Sequence, residues 1–276
     1  MTIDLGRATY DLYLRFFETA ERRRRWSIFN DVPWEGLSHV CPSTEETLCV
    51  ETFCGVEMYL PDYLAHGIAV ARTSYGQAWF QANWGYEESK HSLVLREYLV
   101  RSGQRTTEQM MEFERAIFAR EWLLPFRTWR QMTVYGAIQE LATWLIYRKQ
   151  MQDVKRRGNA VLGVIYQLIA ADEAAHAGFY QDMLNLCVQE NREGTLADLA
   201  VVSRGFRMPA YDLVPDYGSR VEVMRSVGID RSLFLAEVWL PLLRRLRITR
   251  EEVARASAVA HGDTMPSSPS SGENAT

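Results

Sequence analysis

Residues 159–190, NAVLGVIYQLIAADEAAHAGFYQDMLNLCVQE, carry apolar side chains at helical spacing almost from end to end. A helix of that length rises roughly 45 Å at 1.5 Å per residue. Midway along it stands Glu173-Ala174-Ala175-His176, with Ile169 and Tyr180 as apolar neighbours. A second long segment, 74–102, carries Glu88-Ser89-Lys90-His91 at its middle, between Trp84 and Leu95. Helix residues three apart share one face, so each pair aims a carboxylate and an imidazole at a common point. With 23 Glu and five His in the chain, about 0.4 such matches are expected by chance, so two are a mild excess. Context adds to it. Glu57 precedes the first pair and Glu140 the second, with thirty and thirty-two intervening residues. That is one helix, a turn and half of the next helix, which returns each Glu to the level of its partner pair.

Strand signals are weak, and helices are expected near 8–25, 44–72, 74–102, 106–120, 127–156, 159–190, 217–228, 232–246 and 249–258. Ser43 with Glu46, Thr106 with Gln109, and Thr249 with Glu252 have capping-box spacing. Gly103 and Gly158 sit where helices should stop, and Pro61 should kink the helix spanning 44–72. Long helices joined by short turns pack as an antiparallel bundle, so the expectation is one all-α domain over 1–258. Residues 259–276, Ser/Pro-rich from Gly262 onward, are expected to be a disordered tail.

A Glu from each of two helices plus Glu-x-x-His from the other two is the ligand set of a carboxylate-bridged di-iron bundle. Four carboxylates and two imidazoles, with no thiolate, suit iron or manganese rather than structural zinc. Without metal, four carboxylates on core-facing stripes would be very costly to bury. The bland alternative is a surface helix pair, an i,i+3 contact of a few tenths of a kcal/mol. It accounts for one Glu-x-x-His but not for the four-part array.

Beyond the ligand pattern, the chain resembles the soluble acyl-[acyl-carrier-protein] desaturases, which are ferritin-like di-iron carboxylate proteins. Trp84-Gly85-Tyr86-Glu87-Glu88-Ser89-Lys90-His91 is similar to the family's Trp-x-x-Glu-Glu-x-Arg-His. Gln139-Glu140-Leu141-Ala142-Thr143 resembles Gln-Glu-Arg-Ala-Thr, and Ala170-Ala171-Asp172-Glu173-Ala174-Ala175-His176 resembles Ala-Ala-Asp-Glu-Lys-Arg-His. Glu57 with Leu60-Pro61, and Met208-Pro209-Ala210, also have family counterparts; the likeness covers roughly residues 26–245. The resemblance implies a ferritin-like bundle with additional C-terminal helices. It implies Glu57, Glu88, His91, Glu140, Glu173 and His176 as ligands of two iron ions per chain, with Thr143 facing the oxygen-binding side. It also implies a tryptophan near the N-terminus linked to electron transfer. Trp26 fits its spacing better than Trp34, and Trp84 and Asp172 lie in the shared segments around the ligands. Ala174-Ala175 stands where the family has Lys-Arg, Leu141 where it has Arg, and Ser89-Lys90 where it has Asn-Arg.

The activity so implied is oxygen-dependent desaturation of an acyl chain carried as an acyl-carrier-protein thioester. A ferredoxin-type electron donor and a homodimer come with it. A di-iron hydroxylase or N-oxygenase of a specialised metabolite, and a non-catalytic ferritin-like iron-binding protein, are the alternatives. A radical-generating reductase subunit fits poorly, because Leu95 occupies the place of its tyrosine.

Composition bounds the rest. A net charge of −4, from 31 basic and 35 acidic residues, gives no case for nucleic-acid binding. The apolar stretch 160–171 contains Gln167 and is too short to span a bilayer. Cys41, Cys49, Cys54 and Cys187 form no paired motif and fit a reducing cytoplasm, with Cys54 expected in the core. His39, His66 and His261 lack an acid at ligand spacing. The run Arg22–Arg25 and Arg244, Arg245 and Arg247 are expected on solvated faces, where they would suit an acidic carrier. Trp79, Phe80, Tyr86 and Trp144 are expected mostly in the core.

Overall fold

Helices begin and end where the chain supplies capping chemistry. The computed structural model describes residues 3–39, 42–210, 213–226 and 234–262, and these contain helices and no strand. Asp4 accepts the Arg7 amide and opens α1 (Leu5–Thr19), which widens into a π-helical turn at Ala20–Arg24. Ser43 caps α2 (Thr44–Glu57), and α3 (Leu60–Ala71) follows at once. Then come α4 (Tyr75–Arg101), α5 (Thr107–Phe118), α6 (Trp129–Arg156) and α7 (Ala160–Glu190). α8 (Arg192–Gly205), α9 (Tyr217–Ser226), a π-helical turn at Phe234–Trp239, α10 (Leu240–Leu246) and α11 (Arg250–Gly262) complete the order.

The expected helix over 44–72 is two helices. Pro61 does not kink a continuous rod; it sits in the first turn of α3, where a missing N–H costs nothing. At the break, the Tyr63 hydroxyl donates to the Val56 carbonyl at 3.0 Å and satisfies a helix-end acceptor. Glu57 is thereby the last residue of α2. Helix α8 was not expected, although Asn191 caps it by accepting the Gly194 amide. Thr106–Gln109 and Thr249–Glu252 close reciprocal capping boxes. Ser43 accepts the Glu46 amide, but the Glu46 side chain turns inward to Asn159, 2.5 Å away. Gly103 and Gly158 take positive φ of 73° and 85° at the ends of α4 and α6, as helix-stopping glycines do.

The bundle is built from α2, α4, α6 and α7, with the α6–α7 hairpin as its most extensive pair and α1 laid across α4 and α7. Two apolar clusters are stacked along its axis. One gathers Val50, Phe53, Leu95, Leu99, Ile165 and Ile169; the other gathers Phe80, Val134, Ile138, Phe179, Met183 and Leu184. The N-terminal half of α4 lies in the second cluster and its C-terminal half in the first, whereas α7 runs the other way. The polar residues of interest occupy the layer between them. Among the described residues no helix is long and apolar enough to cross a membrane.

Some side chains lie elsewhere than expected. Trp79 and Tyr86 are about half exposed, on the outer face of α4, where Trp79 stacks on Tyr75 at 4.3 Å. Phe80 is buried, Trp144 is partly buried, and Cys54 is buried as expected. Cys49, Cys54 and Cys187 are buried thiols outside any disulfide; Cys41, the His261 side chain and the tail from 263 lie outside the described residues.

Candidate metal centre

Each of the four bundle helices delivers its carboxylate at mid-height. Glu57 comes from the end of α2, Glu88 and His91 from α4, Glu140 from α6, and Glu173 and His176 from α7. All six are buried, and both imidazoles are fully so. Their ligand atoms fall into two groups, each within 4.8 Å: Glu57, Glu88, His91 and Glu173, then Glu88, Glu140, Glu173 and His176. Glu88 and Glu173 belong to both groups, so each could reach either of two ions held there. Glu57 and Glu140 each belong to one.

The histidines face the cluster through Nδ1. His91 Nδ1 lies 3.2 Å from Glu88 Oε2 and 3.4 Å from Glu173 Oε1; His176 Nδ1 lies 3.0 Å from Glu88 Oε1. Their Nε2 atoms face outward onto acids: His91 onto Asp172 at 3.3 Å and His176 onto Glu87 at 2.7 Å. A carboxylate on the far nitrogen fixes the tautomer and the ring plane of a metal-binding imidazole. The terminal glutamates are also held. Tyr147 donates its hydroxyl to Glu57 Oε1 at 2.7 Å, and Trp84 donates its indole N–H to Glu140 Oε1 at 3.0 Å.

The electrostatics fit a cation site. Burial pushes Glu57 up to about 8, with repulsion from Glu88 adding to it. Burial and the carboxylates of Glu88 and Glu140 hold Glu173 well above the usual range. Burial acts the same way on Glu88, but His91 and His176 outweigh it and hold that carboxyl down to about 2. Burial alone would lower both histidines, yet the surrounding carboxylates raise them well above an ordinary imidazole. Protons thus gather where divalent ions would otherwise supply the positive charge. Glu88 Oε1, Glu140 Oε2, Glu173 Oε2 and His176 Nδ1 are buried and crowd one another without a well-aligned hydrogen bond, and all four belong to the cluster. Oxygen and imidazole donors without a thiolate suit iron or manganese, so the residues fit a two-metal centre.

An apolar cavity of about 180 Å³ opens against this layer. Glu57, Glu88 and Glu173 line it together with Trp84 and Thr143, and Phe53, Val56, Ile146, Met208, Pro209 and Val221 are among its apolar lining. Thr143 bonds back to the Gln139 carbonyl at 3.0 Å, as a threonine inside a helix commonly does.

The surroundings divide the sequence expectations. Trp26, not Trp34, reaches the centre: its indole donates to Asp172 Oδ2 at 2.7 Å, whereas Trp34 bonds the Ile28 carbonyl. His39 and His66 stay outside the cluster. The Arg22–Arg25 run is not one solvated face. Arg22 and Arg23 are exposed, but the π-helical turn, marked by the Arg25 amide bonding Ala20 O at 3.1 Å, rotates Arg24 and Arg25 inward. Both reach Glu87. Glu87, Tyr147 and Arg24 were not singled out in the sequence. Tyr147 lies one turn after Thr143 and two after Glu140, a stripe that could have marked it. For Arg24 no local signal exists.

The match to known families decides where this site belongs. Residues 55–265 match the fatty acid desaturase family model, a span that includes all six clustered residues. The chain belongs to that family. Its relatives there are acyl-carrier-protein desaturases. The protein of Mycobacterium tuberculosis named acyl-[acyl-carrier-protein] desaturase DesA1 is 26% identical over 187 residues, covering 63% of this chain and 54% of the relative. The chain thus spans about half the length of the curated relatives it matches. Among solved structures, the M. tuberculosis acyl-ACP desaturase DesA2 superposes with a TM-score of 0.65 at 15% identity, covering 92% of this chain and 99% of that one. An R2-like ligand-binding oxidase, solved with a reconstituted Mn/Fe cofactor, gives 0.56 at 14% identity, covering 91% and 97%. The desaturase-family chain therefore has the ferritin-like helical bundle expected of it.

Proposed function

We propose that the protein is an oxygen-dependent desaturase of the di-iron class, acting on an acyl chain carried as an acyl-carrier-protein thioester. The observation that carries the reading is the pair of His–carboxylate groups sharing Glu88 and Glu173, set against an apolar cavity in a chain of this family. Glu57 and His91 would hold one ion, Glu140 and His176 the other, and Glu88 and Glu173 both. When bound, the two metals would supply the dioxygen reduction and hydrogen abstraction that no side chain can perform.

The protein's own residues do the remaining work. The cavity wall of Phe53, Val56, Ile146 and Met208 would seat an acyl chain beside the centre, so the carbons that face it are set by position. The same wall excludes water from the reacting bond. Thr143 lines the cavity and would face its oxygen-binding side. Trp26, Asp172 and His91 form a continuous polar contact line into the cluster, which we assign to electron entry from a ferredoxin-type donor. Exposed Arg22, Arg23 and Arg244 offer charges to an acidic carrier.

Anaerobic ferrous reconstitution followed by product mass tests the proposal. Two ferrous ions per chain and a product lighter by two hydrogens are expected. Glu140→Ala should lose iron and product together. Gain of one oxygen atom would assign hydroxylation instead, and full iron loading with normal turnover in Glu140→Ala would refute the ligand assignment.

A further inference from the structure

Both histidines of the cluster lean outward on a buried acid, and one cation touches both acids. Arg24 Nη1 lies 2.5 Å from Asp172 Oδ1 and 3.0 Å from Glu87 Oε2, while its Nη2 lies 2.9 Å from Glu87 Oε1. Its side chain is only 11% exposed, and its guanidinium sits 5.0 Å over the Phe16 ring. The other two cations nearby are each confined to one side. Arg25 reaches Glu87 at 2.6 Å but not Asp172; Lys90 comes within 3.7 Å of Asp172, over the Trp26 ring. Two buried acids without a shared cation would repel each other and lose the ring planes they set. Ala174 and Ala175 supply no charge here.

We infer that Arg24 is the positioning residue of the metal centre: its forked guanidinium locks Glu87 and Asp172, and through them His176 and His91, in metal-binding orientation. Helix α1 and its π-helical turn are thereby part of the centre although they contribute no ligand. A planar fork can bond two carboxylates at fixed angles, which an ammonium cannot. Because Arg24 braces both histidines, its loss weakens both metal-binding steps. The inference rests on the metal reading above.

The test is an anaerobic ferrous titration of the full chain against a competing chelator, comparing wild type, Arg24→Lys and Arg24→Met. Helical content and unfolding temperature are measured on each metal-free protein. Loss of an outer partner of a metal ligand lowers affinity about 10- to 100-fold. Arg24→Met is expected at the upper end of that range and Arg24→Lys, which keeps the charge but not the fork, at the lower end, with both ions affected. Adding Ala175→Arg to Arg24→Met places a cation three residues from Asp172 and should restore part of the affinity. Folded variants that bind two ferrous ions as tightly as wild type overturn the inference. So does a lowered unfolding temperature with unchanged affinity. Should Arg24→Met fail to fold, wild-type affinity in Arg24→Lys alone overturns it. A wild type that binds no ferrous iron removes the metal reading and this brace with it.

Discussion

Removing the hydroxyl of Tyr147 should damage one half of the centre and spare the other. The phenol is fully buried and donates to Glu57 Oε1 at 2.7 Å. A hydrogen bond to a charged group contributes about 1.5–3 kcal/mol, and a buried acceptor left unpaired costs a similar amount. At about 1.4 kcal/mol per tenfold, that converts to roughly 10- to 150-fold in affinity for a metal held by Glu57. The general cost of losing an outer partner, about 10- to 100-fold, agrees. Glu57 groups with His91 and not with His176, so Tyr147→Phe should weaken one ferrous ion and leave the other at wild-type affinity. The ring itself stays packed, 5.2 Å from Phe53 and 5.6 Å from Tyr166, so the fold should survive. Anaerobic titration then shows a split isotherm, one tight step and one weak. Trp84→Phe is the mirror experiment, because Trp84 donates to Glu140 in the other group. Equal weakening of both ions in Tyr147→Phe, or of neither, would refute the division of Glu57 and Glu140 between two ions.

Two further substitutions probe the frame around the site. Gly136→Ala would place a methyl 2.7 Å from the Tyr180 ring and strain the 2.6 Å bond from Gln81 to its hydroxyl. Overpacking costs about 1–3 kcal/mol and alanine returns about 1 in helix propensity, so urea denaturation should show a net loss of up to about 2 kcal/mol. A gain in stability would contradict the placement of Tyr180. Glu51 is buried between Arg105 at 2.5 Å and Arg220 at 2.8 Å, and it ties α9 to α2. Burial opposes its ionisation, yet the two guanidiniums outweigh it and hold the carboxyl below the usual range. Its stabilising contribution is therefore complete above the ordinary carboxylate pKa and is lost as pH falls through the lowered one. Glu51→Gln should be less stable at neutral pH and show a flatter acid limb; unfolding temperatures of the two proteins that fall in parallel from pH 7 to 3 would contradict this.

The clustered acids and imidazoles were legible because a shared helix face is a local rule: residues three apart aim at one point, and spacing records it. Helix extents were legible for the same reason, through the apolar stripes of α4, α6 and α7 and the glycine stops at 103 and 158. What escaped was set by partners distant in sequence. Arg24 and Asp172 stand 148 residues apart, and nothing in Glu-Arg-Arg-Arg-Arg tells which guanidiniums turn inward. That choice belongs to the wider turn at Ala20–Arg24, where one extra residue rotates the chain. The break after Glu57 was hidden because apolar spacing continues across Met58 and Tyr59; only the Tyr63 bond to Val56 reveals the division. Trp79 and Tyr86 look like core residues by type but lie on the outer face of α4, against Tyr75 and under the Arg25 guanidinium.

The structure also enlarges the motif. Each Glu-x-x-His is preceded by an acid, Glu87 before Glu88 and Asp172 before Glu173. Successive helix residues are rotated by roughly 100°, so when Glu88 and His91 face the centre, Glu87 points sideways toward the neighbouring helix. There it meets His176 of α7, and Asp172 of α7 returns the contact to His91 of α4. The outer nitrogen of each histidine is thus held by an acid of the other helix. The working unit is acid-Glu-x-x-His taken twice and crossed, so the imidazole planes depend on the register of α4 against α7. A shift of either helix would move both histidines together, which is why a third element, carrying Arg24 across both acids, is placed to hold that register.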